Sequence, residues 1–180
     1  MAPSAAAPDR TVRSFVEHEG RRIAHYSFLS TWALAAPIDD VFEAIHATER
    51  WPEWWVGVKV AERLGDGHGD GDGVGSLHRY VWRSRLPYDI EFRMRTTRIE
   101  RPHLIEGEAD GQLRGTGRWR LWENAGTHVT YEWNVETTIP WMNAVAPIGR
   151  PIFHWSHDHV MRNGCHGLAR LLGVELLACK

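Results

Sequence analysis

The sequence predicts an α+β fold, an antiparallel sheet of about seven strands wrapped around a long C-terminal helix. Two observations carry that prediction. Residues 127–138, THVTYEWNVETT, alternate so that Val129, Tyr131, Trp133 and Val135 share one face of a strand. A helix-period segment follows, clear after Pro151 and running to about Leu172, and its apolar side needs burial. A curved sheet gripping that helix satisfies both faces, and such an arrangement encloses a pocket for an apolar ligand.

Residues 24–34, AHYSFLSTWAL, have the aromatic and β-branched content of a first strand, and Ala35-Ala36-Pro37 ends it. A short amphipathic helix follows to about Ala47. Pro37 stands near its entry, Asp39 and Asp40 in its first turn, and Val41, Phe42 and Ile45 recur at helical spacing. WPEWWVG reads as a second helical turn with Pro52 near its start. From Val58 onward six strands are expected: VKVAERL, SLHRYVWR, YDIEFRMRTTRI, HLIEGEA, GRWRLWE and THVTYEWNVETT. Short connections make them an antiparallel meander.

Within these strands Ile90, Phe92 and Met94 alternate with Asp89, Glu91, Arg93 and Arg95, and Trp119 and Leu121 alternate with Arg118 and Arg120. One sheet face is therefore dry and the other wet. The terminal helix, starting between about Asn143 and Pro151, covers the dry face. Glu106 and Glu108 share the parity of Leu104, so periodicity leaves open which side of their strand points inward.

A length of 180 residues suits one domain. We place a flexible leader over 1–23, the ligand-binding domain over 24–174 and a short tail over 175–180. A net charge of −2 supplies no basic field for phosphate backbones, so no nucleic-acid partner is expected. No segment approaches a membrane span, and the start MAPSAAAPDRTVRS lacks the apolar core of a signal peptide. Cys165 and Cys179, read as two free thiols, fit a reducing cytoplasm. Nothing in the sequence specifies an oligomeric state.

GDGHGDGDGVG has the oxygen-bearing look of a calcium loop in Asp66, Asp70 and Asp72. His68 breaks the ligand pattern, however, and Leu77 stands where the closing Glu belongs. It reads as a hairpin loop. Of the late histidines, His154 and His157 are helical neighbours while His159 points nearly opposite, so no metal site is expected, and no motif calls for a cofactor.

The same projection puts Phe153, Val160, Met161, Gly164, Leu168, Leu171 and Leu172 on one helix face, with His157 among them. The missing side chain of Gly164 is expected to leave open volume there. His157 thus stands as a titratable group on an apolar wall, where burial lowers its pKa and a nearby carboxylate raises it.

The run Arg150-Pro151-Ile152-Phe153-His154-Trp155-Ser156-His157-Asp158-His159-Val160-Met161, continued by Gly164, Gly167 and Leu168, resembles the end of START-like proteins of the polyketide cyclase/dehydrase and lipid transport group. Pro37-x-x-x-Val41-Phe42, Trp51-Pro52-x-Trp54 and Gly115-x-Gly117-x-Trp119 add to the resemblance, which covers roughly residues 25 to 172. That group is expected to carry Asn where Ser156 stands. The resemblance implies the helix-grip fold. It also implies either a carrier of hydrophobic or aromatic small molecules or a cyclase or dehydratase of polyketide-like chains.

For the carrier, the expected wall comprises Phe92, Met94, Trp119, Tyr131 and Trp133 from the sheet. Phe153, His157, Met161, Gly164 and Leu168 complete it from the helix. For the enzyme, His157 is the proton-transfer group and Tyr131 its hydrogen-bonding counterpart.

Overall fold

The structure is a computed structural model that describes residues 17–18, 21–22, 24–67, 73–83 and 88–180. Strands β1 (Glu17–His18) and β2 (Arg21–Arg22) form a small antiparallel ribbon. The rest of the expected leader, and His68, Asp70 and Asp72 of the glycine-rich loop, lie outside the described residues. Then come β3 (His25–Leu34), α1 (Ile38–His46), a 3₁₀ turn (Thr48–Arg50) and α2 (Trp51–Trp54). The meander is β4 (Val58–Asp66), β5 (Ser76–Arg83), β6 (Asp89–Glu100), β7 (Leu104–Gly111), β8 (Leu113–Glu123) and β9 (Thr127–Thr137). Helix α3 (Pro140–Leu172) and strand β10 (Leu176–Cys179) end the chain.

The main sheet has eight antiparallel strands in the order β10-β3-β9-β8-β7-β6-β5-β4. The eighth strand is the segment expected as a tail. Gly173, at φ +66°, caps α3 in the left-handed region, and Leu176–Cys179 returns along β3. That return brings Cys179 to Cys165 with 6.4 Å between their Cα atoms, and the two form a disulfide. The reading of two free thiols is therefore corrected, and the cytoplasmic expectation loses the support it drew from them. A sequence separation of 14 residues hid the proximity because it arises from a reversal of the chain. No helix among the described residues is long and apolar enough to cross a membrane.

Helix α3 also begins earlier than expected. The expected start lies between about Asn143 and Pro151. The helix instead starts with Pro140 in its first turn and continues through Pro147 and Pro151. Its first turn is tied to the sheet by Asn143, whose amide donates to the Thr137 carbonyl at 2.9 Å and accepts from the Ala24 N–H at 3.0 Å.

The dry face is the inner one. Tyr26, Trp32, Tyr80, Phe92, Trp119, Val129, Trp133 and Val135 are all buried there. The outer face carries ladders of opposite charge, such as Arg79 between Glu62 (3.0 Å) and Glu91 (2.7 Å). Glu106 belongs to this outer set, paired with Arg118, which also meets Glu132 at 3.5 Å. Ile105, paired with Trp119, takes the inward side, and the register settles the parity that the sequence left open.

Candidate functional site

Between the inner sheet face and the middle of α3 lies a cavity of about 140 Å³. Strand alternation builds one wall, with Tyr26 and Phe28 from β3, Trp82 from β5, Ile90 and Phe92 from β6, and Tyr131, Trp133 and Val135 from β9. Helical spacing builds the other from Met142, Phe153, Ser156, His157, Val160 and Met161. The aromatic rings brace one another. Tyr26 stacks on Phe28 at 5.9 Å, Phe153 meets Tyr26 edge-on at 5.5 Å, and Tyr131 and Trp133 stack at 5.8 Å.

Among the described residues, His157 is the one imidazole on this wall. Its ring lies parallel to Phe28 at 4.0 Å, and its side chain is only 14% exposed. Neither ring nitrogen has a hydrogen-bond partner. Burial, with a smaller push from the neighbouring His154, lowers its pKa to about 3. Asp158 stands 3.8 Å from Nδ1, which would mark an ion pair for a charged ring. With the ring neutral and Asp158 facing solvent, this contact holds no charge pair. Across the cavity, burial raises the Tyr131 hydroxyl well above its usual pKa, with Tyr80 adding to the shift. The surface Tyr131 retains lies on the cavity wall among apolar neighbours, which is why a half-buried residue is so strongly desolvated.

Six of the ten expected wall residues line this cavity: Phe92, Tyr131, Trp133, Phe153, His157 and Met161. Met94 and Trp119 line a different, smaller cavity. Leu168 is 0% exposed in the solid core. Gly164 corrects its expectation outright, because the room beside it is filled. A Cβ there would stand 2.6 Å from Trp55 Cζ2, and the indole uses the space to donate to the Val160 carbonyl at 2.8 Å. Sequence reasoning missed Tyr26 and Phe28, although they alternate in the first strand as Tyr131 and Trp133 do in the last. Among the described residues no three His, Cys, Asp or Glu side chains could hold one metal ion.

Sheet, helix and the aromatic cavity between them make a helix-grip fold. The family model for polyketide cyclase/dehydrase and lipid transport matches residues 27–173, and the chain belongs to that family. Its fold is shared by solved structures of low identity. The di-domain aromatase/cyclase BexL of the BE-7585A biosynthetic pathway superposes with a TM-score of 0.65 at 18% identity, over 81% of this chain and 49% of that one. This chain thus spans about half the length of the di-domain protein. The Zhui aromatase/cyclase from Streptomyces sp. R1128 gives 0.63 at 14% identity, over 84% and 94% of the two chains. TTHA0849 from Thermus thermophilus gives 0.61 at 14%, over 83% and 98%. No curated protein matches the sequence.

Proposed function

We propose that this chain binds a hydrophobic, aromatic small molecule in the cavity between sheet and α3, with His157 as the group that orients it. The observation that carries this reading is a neutral imidazole with both nitrogens unpartnered on an otherwise largely apolar wall. An unmade hydrogen bond of this kind costs roughly 1–3 kcal/mol, which a ligand hydroxyl or carbonyl would recover. The apolar walls supply affinity and the contact to His157 supplies orientation.

A second reading, cyclisation or dehydration of a polyketide-like chain, is favoured by one observation. His157 and Tyr131 face the cavity from opposite walls, as a proton acceptor and a donor would. Against it stands the low pKa of His157, since a general base works best when its pKa lies near the operating pH. A bound carboxylate or phenolate would have to raise it.

His157→Phe retains a buried ring and removes both nitrogens. We expect it to bind toluene as the parent does, and to lose about tenfold in affinity for p-cresol, equivalent to about 1.4 kcal/mol. His159→Phe, placed away from the cavity, should change neither. Unchanged p-cresol binding in His157→Phe would reduce this histidine to a packing residue.

A further inference from the structure

The inner sheet face holds a second cavity of about 50 Å³, bounded by the end of α1, the 3₁₀ turn and strands β4 to β8. Its character is different. Thr48, Ser76, His78 and Thr96 contribute polar groups, with His46 and Arg63 beside them. His78 is 6% exposed, and its Nε2 has no hydrogen-bond partner. Burial and the nearby Arg63 keep this ring neutral, opposed by Glu49 and assisted by His46.

Met94 and Trp119 on the chamber side, and Tyr131 and Trp133 on the side of the first cavity, divide the two. Met94 lies across the paired glycines Gly107 and Gly117, and a Cβ on either would come within 2.8 Å and 2.7 Å of its terminal methyl. A Cβ on Gly117 would also stand 2.8 Å from the Tyr131 hydroxyl and 3.0 Å from Trp133, two residues of the first cavity. Trp119, which lines the chamber with Met94, stacks on Tyr131 at 4.1 Å. The absent glycine side chains make room for Met94, and its unbranched thioether is the most adaptable of these side chains.

A cavity of about 140 Å³ is close in size to an engineered one of about 150 Å³ that holds a benzene ring. That volume suits one ring. Building on the binding function proposed above, we infer that the two cavities are the two ends of one ligand site, with Met94 as the most adaptable of the side chains between them. The polar chamber then receives a terminal hydroxyl of an elongated, multi-ring ligand, hydrogen-bonded by His78 Nε2. A hydroxyl suits either tautomer of a neutral histidine, because it both donates and accepts.

Dissociation constants of the full chain for toluene, anthraquinone and 2-hydroxyanthraquinone test this. The parent should bind 2-hydroxyanthraquinone about tenfold tighter than anthraquinone. His78→Phe should abolish that preference and leave toluene unaffected, while His78→Gln, which keeps a hydrogen-bonding group, should retain part of it. Met94→Ala should strengthen both anthraquinones severalfold without changing toluene. Survival of the hydroxyl preference in His78→Phe would overturn the inference, as would equal losses for all three probes. Tight toluene binding with no anthraquinone binding in the parent or in Met94→Ala would mean that the chamber holds only water. The inference would fail there while the binding function stood. If no probe binds, both fall together.

Discussion

The two halves of α3 meet the same sheet in opposite ways. From Met161 onward the helix closes on its neighbours. Trp55 occupies the space beside Gly164, a Cβ on Gly167 would overlap the Trp54 carbonyl oxygen, and Cys165 and Leu168 are fully buried. Along Phe153, Ser156, His157 and Val160 the helix touches the sheet only through rings such as Phe28 and Tyr26, which leave a cavity between the two walls. The difference shows what glycine does in a gripped helix. An absent side chain becomes a cavity only when nothing else can enter, and here the tryptophans of the α2 turn enter. Around His157, bulky rings on both walls prop each other apart and cannot collapse.

The sharpest way to break this contrast is Gly167→Ala. The added methyl meets backbone rather than a movable side chain, so the loss should exceed about 3 kcal/mol in urea unfolding. Phe153→Ala, on the half-open side, should cost clearly less, since a cavity already lies beside it. Equal losses would mean that the two halves are packed alike.

Removing the disulfide probes the closed half alone. The double change Cys165→Ser with Cys179→Ser opens a loop spanning 14 residues and should lower stability by about 3 kcal/mol. Affinity for toluene should stay within twofold, because neither cysteine touches the cavity. A parallel loss of binding would show that the closed half sets the shape of the open one.

On the open side, Trp133→Ala should weaken toluene or p-cresol binding about tenfold, roughly 1.4 kcal/mol. Trp122→Ala should leave it unchanged, because Trp122 is 41% exposed and stacks on His128 at 5.5 Å, outside the cavity. Similar effects from both would remove Trp133 from the binding wall.

The smallest expected effect is on pH dependence. Folding lowers the pKa of His157 from 6.5 to about 3, so below pH 6.5 the unfolded chain takes up a proton that the native ring refuses. Its contribution is complete above that pH and is lost as pH falls toward 3. Between pH 7 and 5.5 this amounts to about 1 kcal/mol, and His157→Phe should show a correspondingly shallower fall in denaturant midpoint. His78 adds in the same direction in both proteins, so the difference between them isolates His157.

Much of the fold was legible in the sequence because its signals are local. Alternation in residues 88–99 and 127–138 placed Phe92, Tyr131 and Trp133 on the inner face, and helical spacing placed Phe153, His157 and Met161 opposite them. These are properties of a few consecutive residues, fixed by where successive Cβ atoms point. Tertiary structure alone decided the rest. It sent Met94 and Trp119 to the second cavity, filled the space at Gly164 with Trp55, carried α3 back to Pro140 and folded the last residues into an eighth strand that joins Cys179 to Cys165. Each of these outcomes depends on which distant side chain arrives at a given point, and periodicity along the chain carries no information about that arrival.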